Sequence, residues 1–257
     1  MVLTLDISNT NIIMGAVEDG RAVFISRLAT EKSRSADEYA VLLKLLADQH
    51  NASLESVEGA IISSVVPGLT AVMREAVTKA CGKVPLVVGP GVKTGLNIRI
   101  DDPSELGADF VANAVSAADS YPLPCVTVDM STATSIGVID ASGSQIGCII
   151  CPGVMVSHNS LTGSTSQLPH ISLDAPGRLI GKGTKDSMKS GLVYGAAAML
   201  DGLLDRIETE LGTKITVVAT GDWASDIISH CRREGIILDD ELLIRGLWLI
   251  YNKNKKA

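Results

Sequence analysis

Two short runs hold the residues best suited to chemistry. Leu5-Asp6-Ile7-Ser8-Asn9-Thr10-Asn11 and Val128-Asp129-Met130-Ser131-Thr132-Ala133-Thr134 share one pattern: apolar, Asp, apolar, Ser, then mostly small polar residues. Each sits between two strand-like apolar runs. An aspartate delivered into such a turn can hold Mg²⁺ or its waters, and small residues at the tip let backbone N–H groups approach phosphate oxygens. Ser8 and Ser131 add bulk there and resist positive φ, although a hydroxyl can itself donate to a phosphate oxygen. A third acid, Asp109, stands in Gly107-Ala108-Asp109-Phe110 at the start of a helical pattern, where the helix dipole alone favours a carboxylate.

Other chemistries lack the required spacing. Gly89-x-Gly91-x-x-x-Gly95 is one residue too long for a dinucleotide fingerprint, and Gly177-x-x-x-Gly181-Lys182-Gly183-Thr184 is one short of a phosphate loop. No Gly-x-Ser-x-Gly elbow occurs. His50, His158, His170 and His230 are scattered, so no zinc site is visible. Cys148-Ile-Ile-Cys151 has redox-motif spacing, but its isoleucines read as strand. Those two are expected to be buried structural thiols, and all five cysteines, with Cys81, Cys125 and Cys231, to be reduced.

The elements that must position the three acids follow from periodicity. Strands are expected at 2–7, 11–18 and 22–29, then a helix over 35–49 with Ser35 and Glu38 in a capping-box pattern. A strand at 58–64, a helix at 69–81 and a strand at 85–88 lead to the glycine loop 89–95, and a helix runs from Gly107 through Ala118. The pattern then restarts: strands at 125–130, 134–139 and 145–151, a helix at 184–211, a strand at 214–219, and helices at 222–233 and 239–251. Because Asp129 repeats Asp6 at an offset of 123, the chain reads as a duplicated domain, with units 1–119 and 120–257. Two such domains facing each other would place their hairpin tips across a cleft.

Composition narrows the partners. The chain of 257 residues is 46% hydrophobic but only 3% aromatic, so a large core must rest on Val, Ile, Leu and Ala. Few aromatics leave no stacking platforms, and a net charge of −7 disfavours a phosphate backbone, so no nucleic acid is expected. Lys253, Lys255 and Lys256 read as a solvated tail. No apolar run of membrane-spanning length and no leader pattern is present, so a cytoplasmic protein without a membrane partner is expected.

Taken in order, these motifs resemble the type III pantothenate kinases, ATP-dependent enzymes of the acetate kinase, sugar kinase, Hsp70 and actin superfamily. Asp6-Ile-Ser-Asn-Thr10 is similar to the family's Asp-x-Gly-Asn-Thr, and Gly89-Pro-Gly-Val-Lys-Thr-Gly95 to its glycine loop. Gly107-Ala-Asp-Phe110 lies on Gly-Ala-Asp-Arg, and Asp129-Met-Ser-Thr-Ala133 on Asp-x-Gly-Thr-Ala. Gly147-Cys-Ile-Ile-Cys-Pro-Gly153, Gly181-x-x-Thr184 with Ser187-Met-Lys-Ser-Gly191, and Gly246-Leu-Trp-Leu-Ile-Tyr251 complete the series.

The resemblance implies an α/β fold of two duplicated actin-like (ribonuclease H-like) domains, each a mixed sheet with flanking helices. It implies phosphorylation of pantothenate to 4′-phosphopantothenate, the first step of coenzyme A synthesis. Asp6, Ile7, Ser8, Asn9, Thr10, Asn11, Ile12 and Ile13 would line the ATP phosphates, with Asp6 near Mg²⁺ and Thr132 also on ATP. Asp109 would be the general base, and Gly107, Ala108, Phe110 and Thr184 would join it in contacting pantothenate. Asp129 would bind a monovalent cation, K⁺ or NH₄⁺. A homodimer is implied as well.

Departures from the family pattern fall on the same motifs. Serine replaces glycine at positions 8 and 131, Cys148 replaces a glycine, and Asp222 stands where a Gly-Gly pair is common. Phe110 replaces an arginine whose fork would suit an acceptor carboxylate. Losing that contact costs about 1.5–3 kcal/mol, or about ten- to a hundredfold in affinity. Two alternatives therefore stand beside pantothenate kinase activity. One is an impaired paralogue that binds a nucleotide or a partner; the other is a kinase for a different hydroxyl acceptor.

Overall fold

The computed structural model describes residues 1–255. Lys256, one of the three tail lysines, lies outside the described residues. In chain order the elements are β1 (Val2–Ile7), β2 (Asn11–Glu18), β3 (Arg21–Ala29), α1 (Ala36–Gln49), β4 (Gly59–Ser64), α2 (Pro67–Cys81), β5 (Leu86–Val87), β6 (Asn97–Ile98) and α3 (Ala108–Ser120). There follow β7 (Cys125–Met130), β8 (Ala133–Ile139), β9 (Ser144–Pro152), α4 (Val154–Ser164), α5 (Thr184–Leu211), β10 (Thr216–Thr220), α6 (Ala224–Ile228), β11 (Ile237–Leu238) and α7 (Leu242–Asn254).

The chain forms two compact units. The first comprises Met1–Ser120 together with the segment beginning at Glu241, and the second is Tyr121–Asp240. Sequence reading ended the first domain at 119 but left α7 with the second, whereas α7 packs in the first unit. Its Leu243, Ile244, Leu247 and Ile250 join Val2, Val17 and Ile61 of the first sheet and Val111, Ala112 and Val115 of α3 in one core.

In the first unit the strand order is β3-β2-β1-β4-β5, with β1–β2 and β2–β3 antiparallel and β1–β4 and β4–β5 parallel. In the second, β9-β8-β7-β10-β11 repeats that order and every one of those directions. The duplication is thus one of topology as well as motif. Register refines the offset: Asp6 faces Ile13 across its hairpin and Asp129 faces Ser135. On the second strand the equivalence therefore runs at 122, because the second tip is one residue shorter; on the third it returns to 123, since Leu28 faces Ile12 and Cys151 faces Thr134. The bulges agree, falling between Ala16 and Val17 in one unit and Val138 and Ile139 in the other.

Period-two alternation decides what each face of β1 meets. Leu3, Leu5 and Ile7 enter the core formed with α1 and α2, through Tyr39, Leu43, Leu69, Met73 and Val77. Val2, Thr4 and Asp6 take the opposite face, where Val2 joins the α3–α7 core. Both faces are covered, so β1 is buried throughout. In the second unit Val126, Val128 and Met130 pack on Leu192, Val193, Leu200 and Leu204 of α5. Asp129 projects from the other face.

The structure corrects several expectations. Helix 222–233 shrinks to α6 because Asp201 of α5 accepts the backbone N–H groups of Arg232 (2.8 Å) and Arg233 (3.1 Å), drawing that backbone out of a helical ladder. Helix α4 escapes detection because Val-Met-Val-Ser-His-Asn-Ser-Leu-Thr-Gly-Ser has almost no amphipathic period and buries only Val154 and His158. Cys148 is exposed rather than buried, as it shares with Ile150 the open face of β9, and Cys151 is only half-buried; all five cysteines are free. Lys255 is no free tail residue either: it pairs with Glu58, while Lys253 packs against Gly95 and Asn254 clamps Lys93 through its amide.

Candidate active site

The first hairpin tip is built by short-range hydrogen bonds. Ser8 Oγ donates to Asp6 Oδ2 at 2.9 Å, and Ser8 N–H donates to Asn11 O at 3.0 Å. Thr30, just beyond β3, braces the tip: its hydroxyl donates to Ser8 O at 2.6 Å and its N–H to Thr10 O at 2.9 Å. Val65 N–H closes the end of β1 through Ile7 O at 3.0 Å. Asp6 is only 2% exposed, whereas Asn9 and Thr10 are exposed and Ser8 and Asn11 half-buried. Ile7 and Ile12 lie wholly in the α1–α2 core and Ile13 packs against the α3–α7 core. Of the run 6–13, only the tip offers atoms to an incoming ligand.

The second tip repeats the pattern. Ser131 Oγ donates to Asp129 Oδ1 at 2.5 Å, and Ser131 N–H donates to Ala133 O at 3.0 Å. Trp223 N–H caps Met130 O at 3.0 Å, the counterpart of Val65 on Ile7. Here glycine backbone closes the tip from two sides. A Cβ on Gly153 would lie 2.2 Å from Thr132 O, and one on Gly221, whose φ is +101°, would lie 2.7 Å from Asp129 Oδ1. Gly153 occupies the place that Thr30 holds in the first unit. Among the described non-glycine residues only Asp19 and Asn51 have positive φ, so neither Ser8 nor Ser131 is strained. The expected resistance of serine to this backbone does not arise.

Asp109 sits in the first turn of α3. Burial pushes its carboxyl pKa up, against the opposing pull of the Phe110 and Asp109 backbone N–H groups. Its Oδ1 is buried without a hydrogen-bond partner among the described residues. A Cβ on Gly107 would fall 2.3 Å from that oxygen, so only glycine allows the carboxylate to lie back over the helix start. Phe110 is 8% exposed and continues an unbroken buried run through Ala117. Thr184, in the other unit, is the exposed first residue of α5, following an N-cap glycine that supplies no side-chain cap.

Asp6–Asn11 and Gly107–Phe110 thus belong to the first unit, where α3 and α7 cover the sheet face bearing Asp6. Asp129, Thr132 and Thr184 belong to the second. Among the described residues no group of three or more His, Cys, Asp or Glu could hold a metal ion by itself. What the tips offer is one carboxylate each with a hydroxyl beside it. Such hard oxygen sets fit Mg²⁺ or an alkali cation, which complete their shells with water and phosphate oxygens, and do not fit zinc. Sequence reasoning missed the roles of Thr30 and Gly221. A lone threonine after a strand carries no signal of its own, and Gly221 was overshadowed by Asp222, which is exposed. No described helix is long and apolar enough to cross a membrane.

Comparison with known proteins agrees with this architecture. A family model described as type III pantothenate kinase matches residues 2–206. The type III pantothenate kinase of Exiguobacterium sp. strain AT1b is 41% identical over 256 residues, covering 100% of both chains. That of Halalkalibacterium halodurans is 37% identical over 254 residues, covering 99% of this chain and 100% of the relative. Among solved structures, the activator of 2-hydroxyisocaproyl-CoA dehydratase from Clostridium difficile, with bound ADPNP, superposes with a TM-score of 0.58. It is 12% identical and the match covers 100% of this chain and 98% of that one, a likeness of fold.

Proposed function

Because the chain belongs to the type III pantothenate kinase family, we propose that it transfers the terminal phosphoryl group of ATP to the primary hydroxyl of pantothenate. The product is 4′-phosphopantothenate, and the reaction opens coenzyme A synthesis. The observation that carries this reading is Asp109: a carboxylate on a helix start, raised in basicity by burial, with one oxygen lacking a partner among the described residues. Such a group is suited to take the proton of an alcohol as it attacks phosphorus. Phosphoryl transfer otherwise asks mainly for positioning and charge neutralisation.

The remaining roles follow the geometry of the two tips. Asn9, Thr10 and Asn11 meet the ATP phosphates through backbone and side-chain polar atoms, as does Thr132, while Ser8 spends its own donors inside the tip. Asp6 would hold Mg²⁺ and Asp129 a monovalent cation, K⁺ or NH₄⁺; these ions supply positive charge against the phosphates. Ile7 and Ile12 keep the tip rigid from the core side. Gly107, Ala108, Phe110 and Thr184 form contacts to the acceptor. The protein acts in the cytoplasm as a homodimer, and the exposed Ile150, Val156, Leu161, Leu179 and Ile180 of the second unit support a covered apolar face.

ADP release by the purified protein tests the reading. It should require pantothenate, Mg²⁺ and K⁺ or NH₄⁺ together; release that is indifferent to pantothenate, beside an active relative, overturns it. A second reading, a kinase for a less acidic hydroxyl acceptor, is favoured by one observation, the buried ring of Phe110 where a cation would be expected. An acceptor screen at fixed ATP separates the two, since preference for pantothenate over neutral analogues counts against the second.

A further inference from the structure

We propose that Ser8 and Ser131 are positioning residues that orient the two cation-binding aspartates. This rests on the roles assigned to Asp6 and Asp129 above. Where the family pattern has glycine, each serine gives its hydroxyl proton to the carboxylate two residues earlier, Ser8 to Asp6 at 2.9 Å and Ser131 to Asp129 at 2.5 Å. The contact arises twice, at equivalent positions of two units, although the rest of the tips differ in sequence and by one residue in length. Backbone need does not explain the serines, because neither adopts positive φ. The hydroxyl is what they add.

A serine hydroxyl has one proton and two lone pairs. With the proton committed to the carboxylate, the oxygen turns only acceptor capacity outward. It therefore does not donate to a phosphate oxygen, which was the role open to it from sequence. Its N–H is committed as well, to Asn11 O in one tip and Ala133 O in the other. Each tip instead presents a carboxylate that receives a charge-assisted bond from the serine, next to a second hard oxygen. That arrangement is ordered toward a cation before any ion arrives, which saves the ordering cost at binding. Removing the hydroxyl takes that bond from the carboxylate and weakens the one ion it serves.

Direct ion binding by the full-length protein tests this. Mn²⁺, standing in for Mg²⁺, is titrated in the presence of a non-hydrolysable ATP analogue and read by electron paramagnetic resonance. Tl⁺, standing in for K⁺, is measured by equilibrium dialysis. Ser8→Ala should weaken Mn²⁺ about tenfold, the worth of one such bond, and leave Tl⁺ unchanged; Ser131→Ala should do the reverse. Ser8→Thr and Ser131→Thr keep the hydroxyl and should keep wild-type affinities. Unchanged affinities in the alanine variants, equal weakening of both ions by either variant, or wild-type protein that binds neither ion would each overturn the proposal. Selective ion weakening in a protein that makes no 4′-phosphopantothenate would uphold it while removing the acceptor assignment.

Discussion

At the scale of the residue, Asp109 combines two costs that a structural side chain would shed. Its charge is desolvated and one oxygen has no hydrogen-bond partner among the described residues, so the native state favours the protonated form more than the unfolded chain does. The linkage has a definite sign. Folding is penalised in full above the raised native pKa, and the penalty fades as pH falls from there to the ordinary aspartate value, below which it is gone. Asp109→Asn should therefore raise the melting temperature at neutral pH, with the gain vanishing in acid, as calorimetry across pH would show. The same variant should lower kcat by about 10²- to 10⁴-fold, the usual worth of a general base. In wild-type protein the acid limb of kcat should lie above the ordinary aspartate range; a limb at or below that range would remove Asp109 as the base.

At the scale of the element, the tips depend on what closes them. Gly221 holds φ +101° against Asp129 and Met130, where a methyl group has no room. Gly221→Ala should destabilise the second unit by about 3 kcal/mol in denaturant titration, from steric overlap and left-handed backbone strain together. A softer joint ties the end of α5 to the loop after α6: Arg233 Nη2 donates to Glu208 Oε1 at 2.5 Å and Lys214 pairs with the same acid at 2.7 Å. Arg233 first and Lys214 second hold Glu208 at about 2. That stability is fully present above the ordinary glutamate value and is lost as pH falls from there through about 2. Arg233→Ala should cost about 1 kcal/mol at neutral pH and almost nothing in strong acid. The strands and α5 were legible because their apolar spacing is set by the faces they bury, and Ser35 with Glu38 formed the expected capping box. Helix 222–233 was misjudged because its end is decided by Asp201, about thirty residues away in sequence. The serine contacts were invisible for a related reason: a sequence names a hydroxyl but not its rotamer.

At the scale of the molecule, the duplication is legible twice, as a repeated Asp-x-Ser motif and as one strand order used in both units. The destination of α7 was not, since its apolar stripe would suit either sheet. Packing places it with α3 over the face of β1 that carries Asp6. Removing the chain from Glu241 onward should therefore strip protection from the first unit rather than the second. Hydrogen exchange should show β1 and β4 losing protection while β7 and β10 keep theirs; loss confined to the second unit would contradict that packing. The family assignment, the two acid tips and the buried carboxyl of Asp109 converge on the proposed reaction. Its most direct measurement is mass spectrometry of the product formed from ATP and pantothenate by the purified full-length protein, beside Asp109→Asn. The account predicts 4′-phosphopantothenate accumulating with wild type, in step with ADP, and nearly absent with the variant. ATP turnover with unmodified pantothenate, or equal product from both proteins, would contradict it.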